Sequence, residues 1–210
     1  DYLLAHHYPE CQNADDPYLA LFAAINARTA KLVAHWQAIG FCHGVLNSDN
    51  ISVLGLTMDY GPYGFLDRFQ MDHICNHSDN QGRYAYQRQP QIMHWNMACL
   101  AGAMLPLIEQ RYDGENAQTH LQVALEKFPE IYRTAWLAQF RAKLGLMIED
   151  AGDMSLIESL LKLMHDNRVD FTNTFRALSH YDISGHGKYD TLRDQFLNRD
   201  AFDNWMQSYR

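Results

Sequence analysis

The chain has 210 residues and a mass of 24.3 kDa, of which 47% of residues are apolar and 20% are charged. This composition excludes a disordered chain and is typical of a globular domain that buries a real core. The 17 basic and 25 acidic residues give a formal net charge of −8, which disfavours general binding to nucleic acid or to anionic membranes. No apolar run approaches the roughly 20 residues that cross a bilayer. We therefore expect neither a nucleic-acid nor a membrane partner.

The four cysteines are widely spaced, and no two of them form a CxxC pair; they are Cys11, Cys42, Cys75 and Cys99. At this density they predict reduced thiols in a cytoplasmic protein rather than a disulfide framework. The sequence opens DYLLAHHYPECQ, with no initiator methionine and no signal-peptide layout. We expect this opening to lie in the interior of a longer protein.

The first strong element is a long helix over residues 17–39. Asp16 is a good N-cap, Pro17 suits the first helical position, and Gly40 is a natural stop. Residues spaced alternately four and three positions apart fall on one face of this helix, and that face is apolar except at Thr29. These residues are Tyr18, Phe22, Ile25, Thr29, Leu32, Trp36 and Ile39. A helix of about 34 Å with such a face is expected to be a central packing element.

A small hairpin is predicted next. Residues 51–58, ISVLGLTM, suggest two short strands around a turn at Leu54 and Gly55, because β-branched and apolar residues flank the glycine. The following YGPYGFLD is a loop by its Gly and Pro content, and residues 68–88 are polar and irregular.

From residue 90 onward the pattern is helical. The segment opened by Pro90 should be kinked or ended by Pro106, and further helices are predicted at residues 117–127, 130–144, 170–178 and 190–207. Ser155 with Glu158 has the spacing of a capping box at another helix start. The aromatic residues at helical spacing are expected in the core; they are Trp95, Trp136, Phe140 and Phe175.

The stretch that indicates chemistry is HGVLNSDNISVLGLTMDYG, residues 43–61. A two-residue turn at residues 54–55 would place Asn50 opposite Asp59, and directly opposed residues have Cβ atoms about 4.5–5.5 Å apart. An amide oxygen and a carboxylate at that separation suit one Mg²⁺, which takes few protein oxygens and otherwise binds water and phosphate. Asp49, beside the Asn, is placed to act as a general base. The alternative is that Asp49, Asn50 and Asp59 are ordinary turn residues.

The order of these elements resembles a protein-kinase C-lobe. A long helix, a His-Gly loop that ends in Asn, a short hairpin and an Asp-aromatic-Gly follow one another, and in kinases the Asn and that Asp hold Mg²⁺. In the pattern HGDLxxxN, however, Val45 occupies the position of the catalytic Asp and can neither accept a proton nor bind a metal. Ordinary phosphoryl transfer is therefore disfavoured, and Asp49 is the available substitute.

HGVLNSDNISVLGLTMDYGPYGFLD closely resembles the selenoprotein O family, whose bacterial members are called YdiU. The likeness continues through ICNHSDNQGRYAYQRQP, WNMACLAGAMLPL and DFTNTFRALS, and so covers most of the chain. The resemblance implies a pseudokinase that binds ATP in a reversed orientation and transfers AMP to Ser, Thr or Tyr hydroxyls of other proteins. It also implies that Asp49 accepts the proton, that Asn50 binds Mg²⁺, and that Asp59 binds both Mg²⁺ and ATP. Transfer of UMP from UTP with Mn²⁺ is associated with the bacterial members.

The resemblance predicts a mainly α (α+β) fold, a kinase-like C-lobe with a small catalytic hairpin and a helical C-terminal extension, as a single region over residues 1–210. The family's nucleotide-binding N-lobe, with its Gly-rich loop and phosphate-binding Lys, has no counterpart in this sequence. Lys31, the only lysine before the motif, lies on the long helix and is expected to be a solvated charge. We expect the isolated chain to have little or no transferase activity.

Two rival functions remain open. A conventional kinase would transfer the γ-phosphate, and Val45 argues against it. A non-catalytic pseudokinase scaffold would bind nucleotide or a partner and would have no use for Asp49 as a base.

Two further segments suggest sites. His73, Cys75, His77 and Asp79 could line one face of a strand as zinc ligands, although no second ligand pair occurs at zinc-finger spacing; loop packing is the alternative. Residues 82–86, GRYAY, could contact a substrate through Arg83, Tyr84 and Tyr86. The alternative there is that the arginine pairs with an acidic group while the tyrosines pack.

Overall fold

A computed structural model describes residues 1–181 and 189–209. Most of these residues are helical, which confirms the mainly α class. The α-helices of the described residues are α1 (Tyr2–His6), α2 (Pro17–Ile39), α3 (Gln89–Ile108), α4 (Gly114–Leu125), α5 (Phe128–Leu144), α6 (Asp153–Asn167), α7 (Phe171–Leu178), α8 (Tyr189–Arg193) and α9 (Arg199–Tyr209). Single 3-10 turns lie at Pro9–Cys11, Ser48–Asn50 and Tyr86–Arg88. Among these helices, none combines the length and apolar character that a bilayer crossing requires.

The long helix α2 has the predicted bounds and the predicted caps. The Asp16 carboxylate accepts hydrogen bonds from the backbone N–H groups of Tyr18 and Leu19, at 3.0 and 2.9 Å. Gly40 ends the helix with φ +71°, a conformation that costs glycine little. A Cβ on Gly40 would lie 2.7 Å from the Phe171 ring, so the glycine also allows close packing. Because α2 contacts α3, α4 and α5, it is the central element that the sequence predicts.

The sheet consists of two short strands and lies outside the predicted hairpin. Strand β1 (Phe41–Cys42) pairs antiparallel with β2 (Gly64–Phe65), with Phe41 opposite Phe65. The prediction of strands within residues 51–58 is wrong, although a turn does form there and Gly55 has φ +69°.

Long-range side-chain contacts explain this difference. The Tyr8 hydroxyl donates to the Val53 carbonyl at 2.5 Å, and the Trp36 Nε1–H donates to Thr57 Oγ1 at 2.9 Å. A Cβ on Gly55 would lie 2.8 Å from the Cβ of Arg28 on α2. The segment 51–58 is therefore fitted against the first helices of the chain, and its backbone does not form a ladder with itself.

The helices after residue 88 follow the prediction with shifted starts. Helix α3 continues two residues past Pro106 before it ends, and α5 closes at Gly145, which has φ +71°. The proposed capping box at Ser155 is wrong, because α6 begins at Asp153 and Ser155 lies inside it. Asp153 is fixed there by an ion pair with Arg141, whose Nε lies 2.9 Å from its carboxylate. Helix α7 begins one residue after the start of the predicted helix 170–178 and ends at the predicted residue, whereas the predicted helix 190–207 is divided between α8 and α9.

The core has two parts that meet at the end of α2. The first packs α1 to α4 with the start of α5 and includes Phe22, Trp36 and Met93; the second packs the remainder of α5 with α6 to α9 and includes Phe140 and Phe171. Of the aromatic residues expected in the core, Phe140 and Phe175 are buried. The expectation is wrong for Trp95, which is 48% exposed. The four cysteines are free thiols, as expected.

Candidate active site

A buried histidine organises the loop after β1. His43 is 1% exposed, and its Nε2 lies 2.7 Å from the carbonyl oxygen of Met58. Its Nδ1 accepts a hydrogen bond of 3.4 Å from the backbone N–H of Val45. Burial lowers the pKa of His43, and the Met58 carbonyl and the charge of Asp59 oppose that effect. The neutral imidazole with its proton on Nε2 satisfies both contacts, so one ring joins residue 45 to the residue before Asp59.

Asn50 lies at the end of the 3-10 turn Ser48–Asn50 and is half-buried. Its side-chain N–H donates to the Val45 carbonyl at 3.4 Å, which orients the amide. The amide oxygen makes no hydrogen bond with any residue of the described chain. That oxygen is therefore available to a cation or to a ligand.

Asp59 follows directly after the carbonyl that His43 holds. It is exposed, and its φ of +54° places a non-glycine residue in the left-handed region. Its carboxylate makes no hydrogen bond or ion pair with any described residue.

Asp49 is exposed in the same 3-10 turn as Asn50. Within residues 1–181 and 189–209 its carboxylate also has no hydrogen-bond or ion-pair partner. An acid without a protein partner at the end of this loop is free to meet a ligand from solvent.

The structure links the predicted ligands by a route that differs from the predicted one. Asn50 and Asp59 are not paired across two strands, because residues 51–58 form none. The Asn50 amide instead donates a hydrogen bond to the Val45 carbonyl, and the carbonyl of Met58, the residue before Asp59, is hydrogen-bonded to the ring of His43. Their oxygen donors are the type that Mg²⁺ takes in small number from proteins, so the donor set fits a divalent cation.

Sequence reasoning missed the roles of His43 and Gly44. Gly44 has φ +83°, and a Cβ there would lie 2.7 Å from Cys75 Sγ and 2.9 Å from the Pro62 carbonyl oxygen. Only glycine fits this close approach without a shift of the backbone around it. The sequence signal for both roles is the His-Gly pair that opens residues 43–61. The pair alone, however, does not reveal which atoms the two residues contact.

The segment 73–79 is held by backbone contacts and not by a metal. The Cys75 thiol donates to the Cys42 carbonyl at 3.3 Å, and Asn76 donates to the Gly44 carbonyl at 3.1 Å. No group of three or more His, Cys, Asp or Glu side chains in the described ranges is arranged to hold a metal, which contradicts the zinc hypothesis. The neighbouring thiol of Cys75, together with burial, raises the pKa of Cys42.

The tyrosines of residues 82–86 pack, and Arg83 has no acidic partner within residues 1–181 and 189–209. Tyr86 is buried, and its hydroxyl donates to the Gln37 carbonyl at 2.5 Å. The Tyr84 hydroxyl donates to the Asn47 side-chain oxygen. The Arg83 guanidinium instead lies over the rings of Tyr84 and Trp95, so the described residues do not supply the expected acidic partner.

The chain is similar over its whole length to known proteins. Residues 1–210 match the family described as "Protein adenylyltransferase SelO". The chain is 51% identical to the protein nucleotidyltransferase YdiU of Burkholderia lata and 50% identical to that of Burkholderia pseudomallei. In both comparisons all of this chain is covered, together with 42% of the relative.

The chain thus spans less than half of the length of the curated relatives that it matches. The match nevertheless includes the candidate site, from His43 through Asp59. The chain belongs to the SelO family of protein adenylyltransferases.

Proposed function

We propose that this chain supplies the base and the metal ligands of a protein nucleotidyltransferase. The enzyme transfers AMP from ATP, or UMP from UTP, to Ser, Thr or Tyr hydroxyls of other proteins. The observation that supports this most is that side-chain oxygens of Asp49, Asn50 and Asp59 have no partner among the residues that the structure describes. These oxygens lie on two segments that His43 and Val45 tie together.

The reaction assigns one role to each of these residues. The substrate hydroxyl oxygen forms a bond to the α-phosphorus, the bond from that phosphorus to the β-phosphate oxygen breaks, and pyrophosphate leaves. Asp49 takes the hydroxyl proton. Asn50 and Asp59 hold Mg²⁺ or Mn²⁺, which neutralises phosphate charge when it is bound. Asp59 also faces the nucleotide.

The same proposal assigns a kinase-like C-lobe with a helical extension to residues 1–210. The nucleotide-binding lobe then belongs to the part of the relatives that this chain does not span. A cytoplasmic location completes the proposal and is supported by the four free thiols. The isolated chain is expected to label no protein with AMP, and measurable ATP-dependent labelling by it would contradict this part.

The test incubates a full-length protein that contains this chain with ATP labelled either at the α-phosphate or at the γ-phosphate. Retention of an α-phosphate label on a protein substrate supports nucleotidyl transfer, whereas retention of a γ-phosphate label alone indicates a conventional kinase. Asp49→Ala should lower the rate by about 10²–10⁴-fold, the range for loss of a general base. Nucleotide affinity should change little.

Ser48→Ala is the matched control, because Ser48 is also exposed in the same 3-10 turn. It should retain most of the activity. Equal activity of wild type and Asp49→Ala would remove the proposed base. Nucleotide binding with no transfer from either label would favour the scaffold.

A further inference from the structure

Two arginines share an open depression on the surface. Arg83 and Arg88, with Gln81, Gln91, Ile92 and Trp95, line about 550 Å³ between residues 81–88 and the first turns of α3. These lining residues include two cations and no acid, on a chain whose formal net charge is −8. The depression is therefore a local basic site on an acidic protein.

Neither arginine has an acidic partner among the described residues. The Arg83 guanidinium carbon lies 5.2 Å from the centre of the Trp95 ring and 5.7 Å from that of Tyr84. Arg88 donates one hydrogen bond of 3.3 Å to the Gln81 carbonyl. The acid nearest in sequence, Asp79, already accepts from the backbone N–H groups of residues 83 and 84 at 2.9 and 2.8 Å. Both guanidinium groups therefore retain donors for a ligand.

The depression is connected to the candidate active site. Tyr84, next to Arg83, donates to the side chain of Asn47, which lies two residues before the proposed base Asp49. Arg83 is thus the sequence neighbour of a tyrosine that contacts the loop carrying Asp49, and Arg88 lines the same depression as Arg83.

We propose that Arg83 and Arg88 bind a carboxylate side chain of the protein substrate, close to its acceptor hydroxyl. This rests on the proposed transfer to proteins and adds a preference for acceptor sites with a neighbouring Asp or Glu. Guanidinium groups match carboxylates with paired hydrogen bonds. Trp95, which is exposed, offers apolar contact to the same segment, and its ring attracts the Arg83 guanidinium by a cation–π contact.

The experiment uses a full-length protein that contains this chain and two fluorescein-labelled peptides. Each peptide has one Tyr, flanked in one by four Glu and in the other by four Gln. Binding is measured by anisotropy without nucleotide, and AMP transfer is measured with α-labelled ATP. Wild type should favour the Glu peptide by about tenfold in Kd and in KM, and 500 mM salt should reduce that preference.

The double variant Arg83→Gln/Arg88→Gln should lose the preference, to less than twofold. The matched control Arg111→Gln/Arg133→Gln removes the same charge at two other exposed arginines and should keep it. Arg83→Glu/Arg88→Glu should instead favour a third peptide, in which four Lys replace the four Glu, and a misfolded protein would not show this gain.

The outcomes separate this proposal from the proposed function. Two results would overturn the docking site and leave the transferase. In the first, wild type transfers AMP equally well to the Glu and Gln peptides. In the second, Arg83→Gln/Arg88→Gln prefers the Glu peptide as strongly as wild type does. Charge-selective binding without any transfer overturns the transferase and leaves the docking site. Loss of ATP binding in Arg83→Gln/Arg88→Gln would assign the arginines to the nucleotide and also overturn the proposal.

Discussion

Replacement of Gly44 by Ala tests whether the loop before the candidate ligands requires a glycine. The change adds a Cβ at φ +83°, at 2.7 Å from Cys75 Sγ and 2.9 Å from the Pro62 carbonyl oxygen. Gly145 provides the matched control. Its φ of +71° is similar, but nothing lies within 4 Å of an added Cβ.

Gly44→Ala and Gly145→Ala therefore impose the same backbone strain, but only Gly44→Ala also forces a steric clash with neighbouring atoms. A left-handed alanine costs about 1 kcal/mol relative to glycine, which is the whole effect expected at Gly145. At Gly44 the forced contacts add about 1–3 kcal/mol, since a carbonyl oxygen cannot rotate away as a flexible side chain can. Gly44→Ala should thus lower the free energy of unfolding by roughly 2–4 kcal/mol.

Urea denaturation of both variants in a full-length protein measures the difference. Gly44→Ala/Cys75→Ala should recover part of the loss, because it removes the sulfur but leaves the Pro62 carbonyl. AMP transfer should fall in Gly44→Ala and stay near wild type in Gly145→Ala. Equal destabilisation by the two single substitutions would refute the argument from close approach.

Three further outcomes are expected. Thr57→Val should lower the free energy of unfolding by about 1–2 kcal/mol, because the buried Trp36 N–H loses its acceptor; Thr57→Ser should restore most of it in the same urea experiment. Arg141→Leu should cost about 3 kcal/mol in calorimetry, because it leaves the buried carboxylate of Asp153 without its cation, and Arg141→Lys should cost less. Burial lowers the pKa of His73 below the usual 6.5, so the unfolded chain takes up a proton there before the folded protein does. The contribution of His73 to stability should therefore be fully present above pH 6.5 and be lost as the pH decreases further. In thermal unfolding, His73→Gln should show a smaller loss of stability at low pH. A larger loss in the variant would contradict the role of His73 in this pH dependence.

The sequence predicts those elements whose signals are local. The bounds of α2 follow from Asp16, Pro17 and Gly40, which act on the nearest turn of backbone. Gly145, which closes α5, is a signal of the same kind. The residues that specify each of these helix boundaries are neighbours in sequence, so a few consecutive residues are enough to predict the boundary.

The segment 51–58 was mispredicted because its conformation depends on distant residues. Tyr8 bonds Val53 across 45 positions, and Trp36 bonds Thr57 across 21. Trp95 was assigned to the core by its helical spacing, but it faces Arg83 at the surface. Periodicity does not reveal which face of a helix will meet the remainder of the chain.

The residues of the candidate site are identified from the sequence and stay a prediction, whereas the contacts that support their two segments are visible only in the structure. An acid, an amide and a second acid at this spacing indicate metal and proton chemistry. The ring that joins their two segments, His43, is identified only by its contacts with residues 45 and 58.

The left-handed backbone at Asp59 decides which mutant can report on its charge. Alanine tolerates φ +54° less well than aspartate or asparagine does, so an alanine variant would combine local backbone rearrangement with the missing carboxylate. Asparagine keeps both the shape of the side chain and its tolerance of this conformation. A phenotype of Asp59→Asn can therefore be attributed to the lost negative charge, whereas one of Asp59→Ala has two causes that no single assay separates.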